Sequence, residues 1–214
     1  MTSPLSQSDT TESMMDWFQL HSREVTWGSV AVIALVAGGW FYNRSQELKA
    51  TRAETAYFAA QRSVVSGNLP LAESDLKKMI ARYDGTPAAT EGKLALAQVL
   101  YEQKKYQAGI DVLKGGSKAG DYTSSVHAVM AGGYEQLKKF KEAGAEYQEA
   151  AKAARFDPDR QRYEALAANA YLAGGDSAKA KEIWTALGAD SKGTVAGEAR
   201  VRLGELVAVP EPRN

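Results

Sequence analysis

Apolar residues along this chain form one unbroken run, followed by a long field of helical spacing. The run is Val25 to Tyr42, VTWGSVAVIALVAGGWFY, eighteen residues without an ionisable side chain. At ~1.5 Å rise per residue it predicts a helix of roughly 27 Å, close to the ~30 Å hydrocarbon core of a bilayer. It lacks the polar stripe of a half-buried helix. Trp27 stands near one end and Trp40, Phe41 and Tyr42 at the other, where amphipathic rings settle at a membrane interface. The pattern predicts a transmembrane helix over 25–42. A cleaved signal peptide fits less well, because the preceding leader is long and acidic and three bulky aromatics follow Ala37-Gly38-Gly39.

The flanks divide by composition. Residues 1–11 are Ser/Thr-rich without periodicity and read as a disordered leader. Residues 12–24 carry Met14, Met15, Trp17, Phe18 and Leu20, a short amphipathic lead-in. After Tyr42 no Pro or Gly occurs until Gly67, and the intervening Ala, Gln, Glu, Lys and Arg favour helix. One helix is therefore expected to continue from the apolar run into a helical domain over 43–208. Pro210 and Pro212 leave 209–214 as a disordered tail.

Within 43–208 a pattern recurs: small residue, aromatic or aliphatic residue, polar turn, aromatic residue, alanine-rich helix. Ala97, Tyr101, Lys104-Lys105 and Tyr106 are followed by Ala131, Tyr134, Lys138-Lys139 and Phe140, then by Ala168, Tyr171, Gly174-Gly175-Asp176 and Ala180. Ala97 to Ala131 and Tyr106 to Phe140 are each 34 residues, and Ala131 to Ala168 is 37. A weaker copy precedes them at Ala59-Ala60, Gly67-Asn68 and Ala72. Asp84-Gly85-Thr86-Pro87 and Asp157-Pro158 read as helix boundaries, and Asp121 and Asp176 as N-caps. A helix–turn–helix period of this length resembles the tetratricopeptide repeat. Ala97, Ala131, Ala168, Ala143 and Ala180 match its small crossing sites, Tyr106 and Phe140 its aromatic site, and Tyr147 and Trp184 its later aromatic site. Gly109 and Ser177 depart from the pattern. The resemblance implies an all-α solenoid of about four helix pairs plus a capping helix near 194–207.

Composition narrows the chemistry. Formal charge is −3 over residues 1–24 and +3 over the rest, so no basic face predicts nucleic-acid binding. Cysteine is absent, which excludes disulfides and a thiolate nucleophile. His21 and His127 are the only histidines, and His127 is expected to pack. Gly115-Gly116 and Gly132-Gly133 lack phosphate-loop spacing. The chain is expected to be no enzyme, with no metal, no cofactor and no small-molecule substrate. Carrying the repeat's inward positions across predicts a protein-binding groove of Tyr57, Gln61, Leu94, Gln98, Tyr101, Ala128, Glu135, Asn169 and Leu172. It lacks the Lys and Asn clamp that some repeats of this kind use on a terminal carboxylate, which points to sequence-tolerant binding of extended chains.

The order of parts resembles the YfgM family: acidic leader, apolar helix ending in Gly39-Trp40-Phe41-Tyr42-Asn43, Ala56-Tyr57 before Gly67, then Leu94-Ala95-Leu96-Ala97-Gln98 and Ala173-Gly174-Gly175-Asp176. The resemblance implies an ancillary subunit of the SecYEG translocon in the bacterial inner membrane. Its N-terminus would be cytoplasmic and its repeats periplasmic. Translocon subunits, periplasmic chaperones and emerging client chains would be its partners. Against that orientation, Arg23 alone precedes the run while Arg44, Lys49 and Arg52 follow it, although the positive-inside rule weakens for long domains. The expected function is a membrane-anchored adaptor or chaperone-like subunit binding partly folded chains. The alternative is a scaffold tethering a fixed complex at the membrane.

Overall fold

Helix boundaries follow the local chemistry of the chain. The computed structural model describes residues 21–115 and 119–208, so the leader, most of the lead-in and the tail lie outside the described residues. The α-helices are α1 (Ser22–Val65), α2 (Leu69–Arg82), α3 (Pro87–Glu102), α4 (Tyr106–Lys114), α5 (Thr123–Gln136), α6 (Phe140–Lys152), α7 (Asp157–Ala173), α8 (Ser177–Ala189) and α9 (Ala196–Ala208). Asn68, Thr86 and Asp176 cap α2, α3 and α8 by accepting from Leu71 N at 3.2 Å, Ala89 N at 3.2 Å and Lys179 N at 3.1 Å. Each satisfies one of the amides that a helix start leaves unpaired. Asp121 does not do so. It sits in a 3-10 turn, Gly120–Tyr122, and α5 begins after Tyr122 without a side-chain cap.

The chain divides into two compact units, residues 1–49 and 50–214. In the first, α1 exposes Trp27, Val30, Val32, Ile33, Leu35, Val36, Trp40, Phe41 and Tyr42. Among the described residues no helix is long and apolar enough to cross a membrane. This corrects the expected transmembrane helix over 25–42 and, with it, the single-pass inner-membrane placement with a cytoplasmic N-terminus and periplasmic repeats. Length is not what α1 lacks, at 44 residues. Its apolar residues are dense only over Val30–Ala37, while Thr26, Gly28, Ser29, Gly38 and Gly39, and the amphipathic rings of Trp27, Trp40 and Tyr42, dilute the run on either side. An uncharged run is not the same as an apolar one.

The second unit stacks residues 50–65 of α1 with α2, then α3 with α4, α5 with α6, and α7 with α8, and ends in α9. Consecutive helices pack from α2 to α9, and α3 also touches α5 directly. Close crossing requires side chains without bulk. Ala97, Ala131, Ala143, Ala150, Ala168 and Ala180 are accordingly at 0% exposure. The aromatic sites fill the space between pairs: Tyr147, Tyr171 and the fully buried Trp184 join Ala131, Ala143, Ala168, Ala180 and Ala199 in one cluster spanning α5 to α9. Two further clusters, around Leu76, Leu96 and Leu100 and around Ile110, Val126 and Met130, continue the core toward α1.

The turns inside the last three pairs share one geometry, and the Gly67 turn has the first of its two bonds, from Gly67 N–H to Val64 O at 3.0 Å. Lys104 N–H donates to Tyr101 O at 2.8 Å and Lys105 N–H to Leu100 O at 2.8 Å. Lys138 and Lys139 repeat this on Glu135 O and Tyr134 O, and Gly175 and Asp176 on Leu172 O and Tyr171 O. This is the Schellman closure, which needs a left-handed residue just past the helix. That residue is Gly67 (φ 72), Lys104 (φ 62), Lys138 (φ 57) and Gly175 (φ 78), so the outer turns use glycine and the inner ones lysine. An L side chain there costs about 1–2 kcal/mol that glycine avoids.

The capping helix is fastened through one buried amide. Gln161 of α7 is 5% exposed. Its Nε2 donates to Asp190 Oδ2 at 2.9 Å, and its Oε1 accepts from Thr194 N at 2.7 Å and Thr194 Oγ1 at 3.0 Å. These bonds fix the 190–195 loop that delivers α9 onto Trp184 and Leu187. Gln161→Leu keeps the approximate volume but removes three hydrogen bonds, one of them to a carboxylate, a cost of about 1–3 kcal/mol. The expected readout is a lower urea midpoint together with faster amide exchange in α9. Unchanged exchange there would show that the loop holds without the amide.

Candidate functional site

The positions expected to face inward on α1, α3, α5 and α7 recur at helical spacing, so on each helix they form a row along one side. In α1, Tyr57 and Gln61 are half-buried, and Gln61 Nε2 donates to Tyr57 Oη at 2.5 Å. Leu94 of α3 is half-buried against the Ile110–Val126–Met130 cluster, whereas Gln98, one turn on, is exposed. Ala128 of α5 is half-buried, and Glu135 accepts from Tyr147 Oη at 3.2 Å. In α7, Asn169 is half-buried and Leu172 is 36% exposed. Amide, apolar and carboxylate groups therefore alternate along the row.

Tyr101 has a different surrounding. Its ring stands against Gly109 of α4 and Gly133 of α5, where a Cβ would lie 2.8 Å from Tyr101 Cδ1 and 2.6 Å from Tyr101 Cζ respectively. Its hydroxyl donates to Val129 O at 3.1 Å, and burial pushes its pKa above the ordinary tyrosine value. One ring thus touches three helices and joins two successive pairs. The glycine at position 109, a departure from the alanine of the other repeats, is the room this ring needs. Gly144 plays the same part for Tyr171, whose ring atoms would lie 2.9 Å from its Cβ.

Sequence reasoning missed Glu91 and Tyr122. The Tyr122 hydroxyl donates to Glu91 Oε1, and that carboxylate pushes the phenol up to about 12. Glu91 was within reach of pattern reading, because it stands three residues before Leu94 and seven before Gln98 on one helical face. Tyr122 was not, since it comes from a turn outside the repeat period. His127, expected to pack, is half-buried with Nδ1 2.6 Å from Glu146 Oε2 on the partner helix α6. At the outer end of the row, Arg162 lies over the Tyr163 ring at 4.8 Å. Among the described residues no group of three or more His, Cys, Asp or Glu could hold a metal ion.

The geometry is that of known repeat proteins. It is similar to the nearly identical TPR-like repeats of a candidate kinesin light chain from Podosopora anserina, at 16% identity over 73% of this chain and 86% of that one, with a TM-score of 0.56. It is also similar to a MamA RS-1 ArsTM double mutant, at 18% identity over 72% and 94% of the two chains, with a TM-score of 0.52. At such identities the likeness establishes the fold alone. No curated protein matches the sequence. A family model, the tetratricopeptide repeat-like domain, matches residues 15–186. Such repeats are generally protein–protein interaction modules and typically non-catalytic scaffolds. With that match over most of its length, and with its helices paired around buried alanines, this chain belongs to the tetratricopeptide repeat-like domain family.

Proposed function

We propose that the inner wall binds extended or partly folded protein segments with little sequence preference. The observation that carries this reading is the state of its side chains. Gln98 and Leu172 are exposed, and Leu94, Gln61 and Asn169 are only half-buried, although each belongs to a helix whose opposite face is fully packed. Amides that donate and accept beside aliphatic surface suit a backbone with varied side chains. The resemblance to the YfgM family supports a narrower form, in which the segments are chains emerging from the SecYEG translocon and translocon subunits and chaperones are standing partners. The second reading is a scaffold that holds one fixed partner with the wall unused.

A photo-crosslinking residue at Gln98, which is exposed, separates the two readings. The proposal expects adducts with many chains, reduced by Leu172→Glu. One dominant adduct insensitive to Leu172→Glu would replace it with the scaffold reading.

A further inference from the structure

The turns inside the two inner pairs carry a cost that the outer turns avoid. The Lys104, Lys138 and Gly175 turns close by the same two hydrogen bonds, the Gly67 turn shares the first of them, and all four hold a left-handed residue, yet only the inner two place lysine there. In both, a second lysine follows, giving Lys104-Lys105 and Lys138-Lys139 where the outer turns have Gly67-Asn68 and Gly175-Asp176. Lys104 and Lys138 are exposed, and neither forms an ion pair or side-chain hydrogen bond with any described residue. Strained backbone that survives where a cheaper residue is available is a pointer to function.

The neighbourhood is basic on balance. Lys141, in the first turn of α6, extends toward the fourth turn, with its Cγ 3.2 Å from where a Gly174 Cβ would lie. Acidic groups nearby include Glu73, Glu102, Asp111 and Glu142, and Asp111, which feels the Lys139 charge, is engaged by Lys114 and Gln107 at 2.9 Å each. Glu73 is already occupied by Lys77 at 2.6 Å and Lys105 at 3.0 Å, which hold its carboxyl down to about 2. Glu102 and Glu142 are exposed and form no ion pair with the turn lysines. Adjacent helix layers lie about 8–10 Å apart, and an extended chain advances about 3.3 Å per residue. Two equivalent turns therefore match carboxylates three residues apart.

We propose that the edge formed by the Lys104-Lys105 and Lys138-Lys139 turns is a docking surface for an extended acidic segment of a partner protein, with carboxylates at every third position. This surface lies on the turns, apart from the wall rows, and does not depend on the client reading above. The row ends at Gly175-Asp176, so the segment is short, about six or seven residues.

The probe is a fluorescein-labelled ten-residue peptide with Glu at every third position among Gly and Ser, titrated against the full chain by anisotropy. Binding should weaken as salt rises. Lys104→Gly with Lys138→Gly should melt higher than the parent, because the strained turns relax, yet bind the peptide at least tenfold more weakly. Lys104→Asn with Lys138→Asn, which also tolerates the left-handed turn, should lose binding alike. Lys78→Ala with Lys181→Ala removes the same charge elsewhere and should change binding less than twofold. The proposal is overturned if the parent does not bind, if the turn variants bind like the parent, or if the control pair loses as much. Tighter binding to single-stranded RNA or anionic-lipid vesicles, with the same dependence on these lysines, would also overturn it.

Discussion

Gly133→Ala lowers stability by about 3 kcal/mol, while Gly132→Ala, one residue earlier in the same helix, raises it by about 0.5–1 kcal/mol. The two glycines share backbone conformation and helix position, so propensity predicts the same gain for both. They differ in what a methyl group meets. At 132 nothing lies within 4 Å. At 133 the new Cβ would stand 2.6 Å from Tyr101 Cζ and 2.7 Å from Ile110 Cγ1. Neither atom can withdraw, because Ile110 is at 0% exposure and the Tyr101 ring is also confined by Gly109. The measurement is urea unfolding of both variants and of Tyr101→Leu with Gly133→Ala. Trimming the ring should recover part of the loss. If both glycines respond alike, Tyr101 is not wedged between the second and third pairs.

Ala143→Glu has the largest expected effect, a loss of at least about 4 kcal/mol, enough to leave much of the chain unfolded at 37 °C. Ala143 lies at 0% exposure in the cluster that joins α5, α6 and α7, among Ala131, Tyr147, Ala168 and Tyr171. A glutamate there overfills a crossing and places a carboxylate where none of those neighbours offers a cation. Ala145→Glu, at an exposed position two residues on, is the matched control and should fall within about 0.5 kcal/mol of the parent. A melting curve unchanged by Ala143→Glu would mean that the helices cross elsewhere.

Much of the solenoid was legible because its determinants are periodic. Buried alanine at 97, 131 and 168, and aromatic heads at 106 and 140, recur at the interval of the fold itself. What escaped is aperiodic. Tyr122 reaches Glu91 from a 3-10 turn, and Asp121, which has the right residue type for an N-cap, stops one turn short of the helix it was expected to start. Tyr101 stood in the inward register, and its place was read from register alone. The neighbours that matter to it are absent side chains at 109 and 133, which a sequence reports only as missing bulk. The apolar run misled for a related reason. Freedom from charge was read as greasiness, although apolar residues are dense only over Val30–Ala37.

The Gln161 fastening makes the hand-over between layers a matter of side chains. Gln161, in the second turn of α7, holds the loop before α9 through Asp190 and Thr194, and Glu91, in the second turn of α3, holds the turn before α5 through Tyr122. Each approach is pinned by the layer that precedes it. A pair exchanged for another would therefore have to bring along its predecessor's polar residue as well as its own alanines.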